Sequence, residues 1–315
     1  LNPKGISGSN LNLWLDAEDT STITHSSNAV SKWQDKSGNG KHATQSTSGD
    51  QPTITSNGMS EKAGLNFDND TLNIPEIDMV GKTLFAVIQP DTSIEQQILS
   101  HSSINVQLRL SGSNQLQYAS GSPLYSNGTA STGTIANNQI SIVSIIFDNT
   151  LGFSINGTFQ DSGVNKGNSG SSTFNQIGTR EASSERFNGK MGEIIIIDSV
   201  SSTDRQKIEG YLAHKWNLTS TLPSSHAYKS SAPAFGGWAI ERASTGVDNV
   251  ALNMAGAGDE FSKAVPVNDN EWHHIVTTYG GANKKIYIDG VEVATAAQTG
   301  GVTASNFKLT LGDSN

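Results

Sequence analysis

The sequence contains no cysteine among its 315 residues. This absence excludes disulfides, thiol chemistry and cysteine-based zinc sites, and it favours a bacterial or viral chain that is stabilised by sheet packing. Long apolar runs are also missing, because the densest one is the four isoleucines of Ile194–Ile197. A helix that spans a bilayer needs roughly 20 apolar residues. We therefore expect no membrane insertion.

Charged residues make up only 16% of the chain, and the net charge is −9. Binding to nucleic acid requires a clustered basic face that displaces counterions from phosphates. The acidic balance therefore argues against nucleic acid as a partner.

The residues that are abundant indicate β-structure. Glycine occurs 32 times, and short β-branched or aromatic runs end repeatedly in Gly, Asn, Asp or Ser, as strands joined by turns do. Asn156–Gly157 and Asp289–Gly290 lie between apolar runs and predict type I′ hairpin turns, which need positive φ at both central positions. The sequence predicts an all-β protein.

One segment breaks this pattern and predicts a helix near residues 203–216. Thr203 and Gln206 have the spacing of a capping box, and Ile208, Leu212 and Trp216 form one apolar stripe. We expect this stripe to pack on the sheet that contains Ile194–Ile197.

An internal repeat divides the chain into two predicted domains, residues 1–230 and 231–315. The segment from Asn138 to Gly157 is similar to the segment from Asn270 to Gly290, which indicates tandem domains. The second copy lacks counterparts of several strands, and a half sandwich would leave an apolar face in water. We therefore expect the second unit to be completed by further sequence, by the first unit, or by self-association with a neighbouring chain.

Several ordered motifs resemble one known family. In the first unit they are Leu13–Ala17, Trp33–Gly40, Leu65–Asp68, Phe187–Glu193 and Tyr211–Trp216; in the second they are Trp272–Val276 and Tyr287–Gly290. These residues resemble the laminin G-like, concanavalin A-like lectin domains of the bacterial or phage type. The resemblance implies an antiparallel two-sheet jelly-roll sandwich in extracellular, adhesive or carbohydrate-associated proteins.

Catalysis is not expected. Glycoside hydrolases of the concanavalin A-like class resemble one another in placing three acids at alternating positions of one strand, so that all face one cleft. This sequence has no such strand, and it has no nucleophile elbow, zinc-protease motif or phosphate-binding glycine loop.

Asp16, Asp35, Asn39 and Glu193 form the candidate metal site. Oxygen ligands in a glycine-rich loop suit calcium, and the family resemblance implies calcium at a sheet rim. The alternative is that Asp35 and Asn39 shape a turn through side-chain to backbone hydrogen bonds.

Tyr118 and Tyr125 flank a loop-like stretch and form the candidate glycan site, since an exposed ring can stack on a sugar; the alternative is packing at a strand end. Trp14, Trp33, Trp216 and Trp272 are interpreted as core residues. His273 and His274 are adjacent, so strand geometry would point them to opposite faces and away from a shared metal ion.

These observations predict a recognition or adhesion module displayed outside the cell, on a cell surface or on a virion, where it binds glycan or another surface protein. The alternative is a structural subunit of a virion, phage tail or extracellular filament that makes protein contacts only. Calcium is the only cofactor that the sequence suggests.

Overall fold

The architecture is taken from a computed structural model of the chain. It describes residues 11–103, 106–120, 129–147, 150–165, 172–179, 185–198, 200–233, 238–242, 249–254, 261–264, 271–280 and 283–297. The chain divides after Pro233 into two compact units, here called the first and the second unit. Among the described helices, none is long and apolar enough to cross a membrane.

The first unit is built from antiparallel strands. Their bounds are β1 Leu11–Asp16, β2 Ile23–Ser26, β3 Ala29–Trp33, β4 Ala43–Thr44, β5 Thr53–Met59, β6 Lys62–Asp68, β7 Leu72–Asp78, β8 Lys82–Pro90, β9 Gln96–Ser100, β10 Val106–Leu110, β11 Gln115–Ser120, β12 Thr129–Thr134, β13 Ser141–Phe147, β14 Thr150–Ile155, β15 Thr158–Asn165, β16 Thr173–Ile177 and β17 Asn188–Asp198. One α-helix, α1, spans Ser202–Lys215.

Strand pairing arranges these elements in two sheets. The front sheet runs β17–β8–β13–β14–β15, and β1 and β6 pair with successive parts of β17 along its other side. The back sheet runs β4–β7–β16–β9–β10–β11–β12. Pairing of β5 with both β6 and β3 links the two sheets. The predicted antiparallel two-sheet fold is confirmed.

The core lies between the two sheets because alternate residues of each strand are apolar and point inward. Leu84, Ala86 and Ile88 of β8 belong to this core, as do Leu108 and Leu110 of β10. If each sheet were covered on its core side only, the residues that alternate with these core residues would be exposed to water.

The front sheet is buried on both faces. Phe85 and Val87 of β8 and Ile195 of β17 alternate with core residues, yet they are also buried. Ile208 and Leu212 of α1 are buried as well, and the helix contacts β8 and β13. The prediction that this helix packs on the sheet carrying the four isoleucines is confirmed.

The predicted helix cap is wrong by two residues. Ser201, not Thr203, is the N-cap: its Oγ accepts from the backbone N–H of Asp204 at 3.1 Å and donates to the Asp204 carboxylate at 2.8 Å. Both Ser201 and Thr203 have a polar residue three positions later, so spacing alone did not distinguish the two starts.

Both predicted hairpin turns are confirmed by positive φ angles. Asn156 and Gly157 have φ of 49° and 77°, and Asp289 and Gly290 have φ of 51° and 83°. The first pair connects β14 with β15, and the second connects two strands of the second unit, Asn283–Ile288 and Val291–Ala297.

The second unit contains two three-stranded antiparallel sheets in its described part. One consists of β18 Trp238–Arg242, β19 Asn249–Met254 and β20 Phe261–Ala264, and the other of β21 Ile275–Gly280, β22 Asn283–Ile288 and β23 Val291–Ala297. Ile286 and Ile288 of β22 are buried, and the completion of the second unit stays a prediction. The alternating apolar residues of Phe307–Leu311 also predict a strand, but this segment lies outside the described residues.

Candidate functional site

Glu193 is the centre of a buried polar cluster under helix α1. Trp14 Nε1 and the Tyr211 hydroxyl donate to its Oε1 at 2.7 and 2.8 Å, and Trp216 Nε1 donates to its Oε2 at 2.8 Å. Lys215 Nζ lies 2.9 Å from Oε2. The Glu193 carboxylate is therefore held by three hydrogen bonds and one ion pair, and we call these residues the Glu193 cluster.

Asp16 joins the Glu193 cluster through strand pairing, because Asp16 of β1 lies directly opposite Glu193 of β17. Its Oδ1 forms an ion pair with Lys215 Nζ at 2.6 Å, and its Oδ2 accepts from Lys36 Nζ at 2.8 Å. Burial lowers the pKa of Lys215, but the Glu193 and Asp16 carboxylates outweigh this effect and raise the pKa above its usual value. Burial, together with the same two charges, raises the pKa of Tyr211 well above normal. Both groups therefore stay protonated.

Asp35 and Asn39 shape the turn after β3. The Asp35 carboxylate accepts from the backbone N–H groups of Trp14, Ser37 and Lys41 at 2.8–3.0 Å, and Asn39 Nδ2 donates to the Leu11 carbonyl at 2.7 Å. These are the turn-forming bonds that Asp and Asn favour.

This donor set does not fit a calcium ion. Calcium needs six to eight oxygen ligands, whereas N–H donors and two ammonium groups surround Asp16, Asp35 and Glu193. Among the residues that the structure describes, no group of three or more His, Asp or Glu is arranged to hold a metal. Calcium at Asp16, Asp35, Asn39 and Glu193 stays a prediction.

The proposed stacking role of Tyr118 is corrected by its position in the core. Its ring is 3% exposed and packs edge-to-face against Phe147 and Phe174, with centroid distances of 5.3 and 6.5 Å. Tyr118 lies opposite Leu108, a core residue of β10, so strand alternation turns it inward. Tyr125 lies outside the described residues.

A second polar cluster lies on the outer face of the back sheet. Because Val106, Leu108 and Leu110 point into the core, Gln107 and Arg109 must point outward. The register places Arg109 opposite both Gln97 of β9 and Gln117 of β11. With Glu95 and Glu185, these side chains form what we call the β9–β11 polar face: Glu95, Gln97, Gln107, Arg109, Gln117 and Glu185.

Hydrogen bonds connect the β9–β11 polar face from strand to strand. Arg109 Nη1 donates to Glu95 and, at 3.0 Å, to Gln107 Oε1, while its Nε donates to Gln117 Oε1 at 3.2 Å. Gln97 Nε2 donates to Gln107 Oε1 at 3.1 Å and to Glu185 Oε2 at 2.9 Å. The arrangement fixes the orientation of each amide.

Two carboxyl groups meet on this face. Burial raises the pKa of Glu95, the Arg109 guanidinium opposes this effect, and the charge of Glu185 and its hydrogen bond to Glu95 raise the pKa further. Like charges that lie close together repel each other, which opposes ionisation of both groups. The pair is therefore in an electrostatically unfavourable position when both groups are ionised.

Two amide atoms of the same face have no hydrogen-bond partner among the described residues: Gln97 Oε1, an acceptor, and Gln107 Nε2, a donor. Both side chains are buried. Buried polar atoms are nearly always paired, so an acceptor and a donor left without partners on one face require an explanation.

One feature of the sequence indicates this face, although no site was predicted there. Gln107 and Arg109 alternate with apolar residues along β10, and Gln115 and Gln117 do so along β11. What the sequence could not show was the pairing that brings Glu95 and Glu185 to the same place.

In the second unit, the interpretation of Trp272 as a core residue is wrong, because its side chain is fully exposed. Asp289 holds the segment that follows Trp272 in place. Its carboxylate accepts from His273 Nδ1 at 2.7 Å and from the His274 backbone N–H at 2.8 Å. The two histidines lie just before β21 and not within it.

Comparison with known proteins gives one family match. The model of the concanavalin A-like lectin/glucanases superfamily matches residues 216–315. The match is a similarity of this part of the chain and does not extend to the rest of the first unit. The resemblance seen in the sequence is thereby confirmed for the lectin-like second unit and the segment that leads into it. No curated protein matches the sequence.

Several solved structures are similar to this chain at low identity. Domain 4 of AbnA, an extracellular GH43 arabinanase from Geobacillus stearothermophilus, is 15% identical with a TM-score of 0.43, over 62% of this chain and 96% of that chain. The Trypanosoma rangeli sialidase is 12% identical with a TM-score of 0.45, over 65% of this chain and 33% of the sialidase. The binding domain of botulinum neurotoxin serotype D is 13% identical with a TM-score of 0.44, over 95% of this chain and 80% of that chain. At such values the likenesses do not indicate what this lectin-like chain binds.

Proposed function

We propose that this chain is a non-enzymatic carbohydrate-recognition module, displayed outside the cell or on a surface, whose first unit binds sugar through the β9–β11 polar face. The observation that carries the proposal is the open hydrogen-bonding capacity of Gln97 and Gln107 beside the fixed side chains of Glu95, Arg109 and Gln117. Amide and charged side chains held by a rigid sheet are suited to bind hydroxyl groups, because they supply donors and acceptors at fixed positions.

A catalytic role is not proposed, for a geometric reason. The two carboxyl groups of a retaining glycosidase lie about 5–5.5 Å apart, on either side of the scissile bond. Here Glu95 accepts from Arg109, and Glu185 accepts from Gln97. Both carboxyl groups are therefore bonded within the protein and are not placed on either side of a substrate.

A glycan array with the intact chain tests the proposal. We expect binding to a restricted set of sugars, and loss of that binding in the Gln97→Leu/Gln107→Leu double variant. This variant replaces both open amides with apolar groups of similar size. A matched control is Gln45→Leu, which changes a buried glutamine outside this face. Binding that survives the double variant would rule out this face as the site.

The alternative is a structural subunit that makes only protein contacts. The exposed Trp272, with Val291 65% exposed in the same unit, favours it, since exposed aromatic residues are enriched in protein interfaces. Silence across a broad array, together with concentration-dependent assembly that is lost in Trp272→Ser, would support this alternative.

A further inference from the structure

The β9–β11 polar face has an unequal balance of charge. It carries two carboxyl groups, Glu95 and Glu185, and one guanidinium, Arg109. The guanidinium donates to Glu95, Gln107 and Gln117 within the protein. A ligand that approaches therefore meets a cation already bonded to protein acceptors and two carboxyl groups in contact with each other.

The face becomes more buried from Glu95 inward. The side chain of Glu95 is 36% exposed and that of Arg109 is 14% exposed, whereas Gln97 and Gln107 are buried. Because Gln97 and Gln107 are buried, a ligand group can reach their amides only if the more exposed side chains of the face, such as Glu95, move aside. Like charges brought together at such a place are strongly disfavoured because there is little water to screen them.

The open atoms of the two amides favour one kind of ligand group. Gln97 Oε1 needs a donor and Gln107 Nε2 needs an acceptor. A hydroxyl group supplies both, whereas an ionised carboxylate or sulfate only accepts and would leave Gln97 Oε1 unpaired. Charge and hydrogen-bonding capacity thus favour the same class of ligand.

We infer that the β9–β11 polar face selects neutral glycans and excludes anionic ones, with Glu95 and Glu185 as the residues that set this specificity. The inference rests on the proposed carbohydrate binding and adds the charge class of the ligand. Hydroxyl groups donate to Gln97 and to the two carboxyl groups, and they accept from Gln107. Sialylated, uronate-containing and sulfated sugars are repelled.

The experiment uses pairs of glycans that differ only in charge. The intact chain is applied to an array that carries neutral oligosaccharides, the same oligosaccharides with sialic acid or sulfate, and oligogalacturonides with and without methyl esters. For each pair, the dissociation constants of wild type and of Glu95→Gln/Glu185→Gln are then measured. The control is Asp198→Asn, which removes a carboxylate that pairs with Lys82 of the front sheet.

We expect wild type to bind neutral members at least about tenfold more tightly than their anionic partners, a ratio that corresponds to about 1.4 kcal/mol. The double variant should lower this ratio towards one by gaining affinity for the anionic members, and Asp198→Asn should leave it unchanged. Equal or tighter binding of anionic members by wild type would overturn the inference and leave carbohydrate binding intact. An unchanged ratio in the double variant would also overturn it. Absence of binding to any glycan would overturn the proposed function and, with it, this inference.

Discussion

Two polar clusters lie on the outer faces of opposite sheets of the first unit, and their hydrogen bonding differs. In the Glu193 cluster, both carboxylate oxygens of Glu193 contact donors on α1, and Lys215 adds a cation between two carboxylates. On the β9–β11 polar face, Gln97 and Gln107 each keep an amide atom without a described partner.

The comparison shows that burial of polar residues does not by itself indicate a binding site. A completed network stabilises the packing of a helix on a sheet, because removal of any member leaves a buried group unpaired. An incomplete network carries an energetic penalty that a suitable ligand can remove. Neutralising a carboxyl group should therefore cost much more stability in the Glu193 cluster than on the β9–β11 polar face.

The largest expected effect is that of Glu193→Gln. Loss of the buried charge leaves Lys215 beside Asp16 alone, and the amide N–H₂ must face donors at one of the two former oxygen positions, either Trp14 with Tyr211 or Trp216. We expect the free energy of unfolding to fall by about 3–5 kcal/mol in a denaturant titration, as when a buried ion pair is broken. Glu95→Gln is the matched change on the other face and should stay within about 0.5 kcal/mol of wild type. If Glu193→Gln and Glu95→Gln lowered the free energy of unfolding equally, the two clusters would not differ in their contribution to stability.

Trp216→Phe should have a smaller effect of the same sign. The phenyl ring keeps much of the packing, but the hydrogen bond from Trp216 Nε1 to the Glu193 carboxylate is lost. Because hydrogen bonds to charged groups contribute about 1.5–3 kcal/mol, we expect a loss in that range by chemical denaturation. Trp33→Phe is a useful control, since Trp33 is also buried in the core and its Nε1 has no partner among the described residues. A loss no larger than that of the control would show that the indole hydrogen bond does not contribute.

The pH dependence of stability should show a small effect of Glu95. The pKa of Glu95 is raised in the folded chain, so its contribution is present below its usual pKa and is lost as the pH rises through the raised value. Glu95→Gln should therefore lose less stability than wild type between about pH 4 and pH 7. The difference should remain below about 1 kcal/mol because Glu95 is partly exposed to solvent. If the stability of wild type and of Glu95→Gln changed with pH in the same way, the raised pKa of Glu95 would be contradicted.

Calcium should have the smallest effect. The carboxylates of Asp16, Asp35 and Glu193 already contact protein donors, and calcium would have to displace them. We expect Tm to be the same in excess calcium and after chelation in differential scanning calorimetry. An increase in Tm that saturates with calcium would support the ligand set suggested by the sequence.

Much of the fold could be predicted because local patterns determine it. Asn156–Gly157 and Asp289–Gly290 specify their turns through positive φ, and the stripe of Ile208, Leu212 and Trp216 determines which side of the helix is buried. Trp272 shows the limit of this reasoning. The local sequence around an aromatic residue does not reveal whether another element of the fold covers its side chain.

The candidate site was less accessible to prediction because its residues are distant in sequence. Asp16 and Glu193 were grouped correctly, and pairing of β1 with β17 places them opposite each other. Their chemistry was not foreseen, because the ammonium of Lys215 comes from the helix. Tyr118 was placed at the edge of a loop-like stretch, whereas it lies within β11, which turns its ring into the core.

The pairing of β1 with β17 also bears on how the first unit is made. The strands that lie side by side at the centre of the front sheet come from opposite ends of the unit, and β8 pairs with β17 along its length. During synthesis, β1 and β8 must therefore leave the ribosome long before their partner exists. Their apolar edges are open to aggregation in this interval. Such long-range pairing also predicts slow folding, since it can be completed only after β17 has been translated.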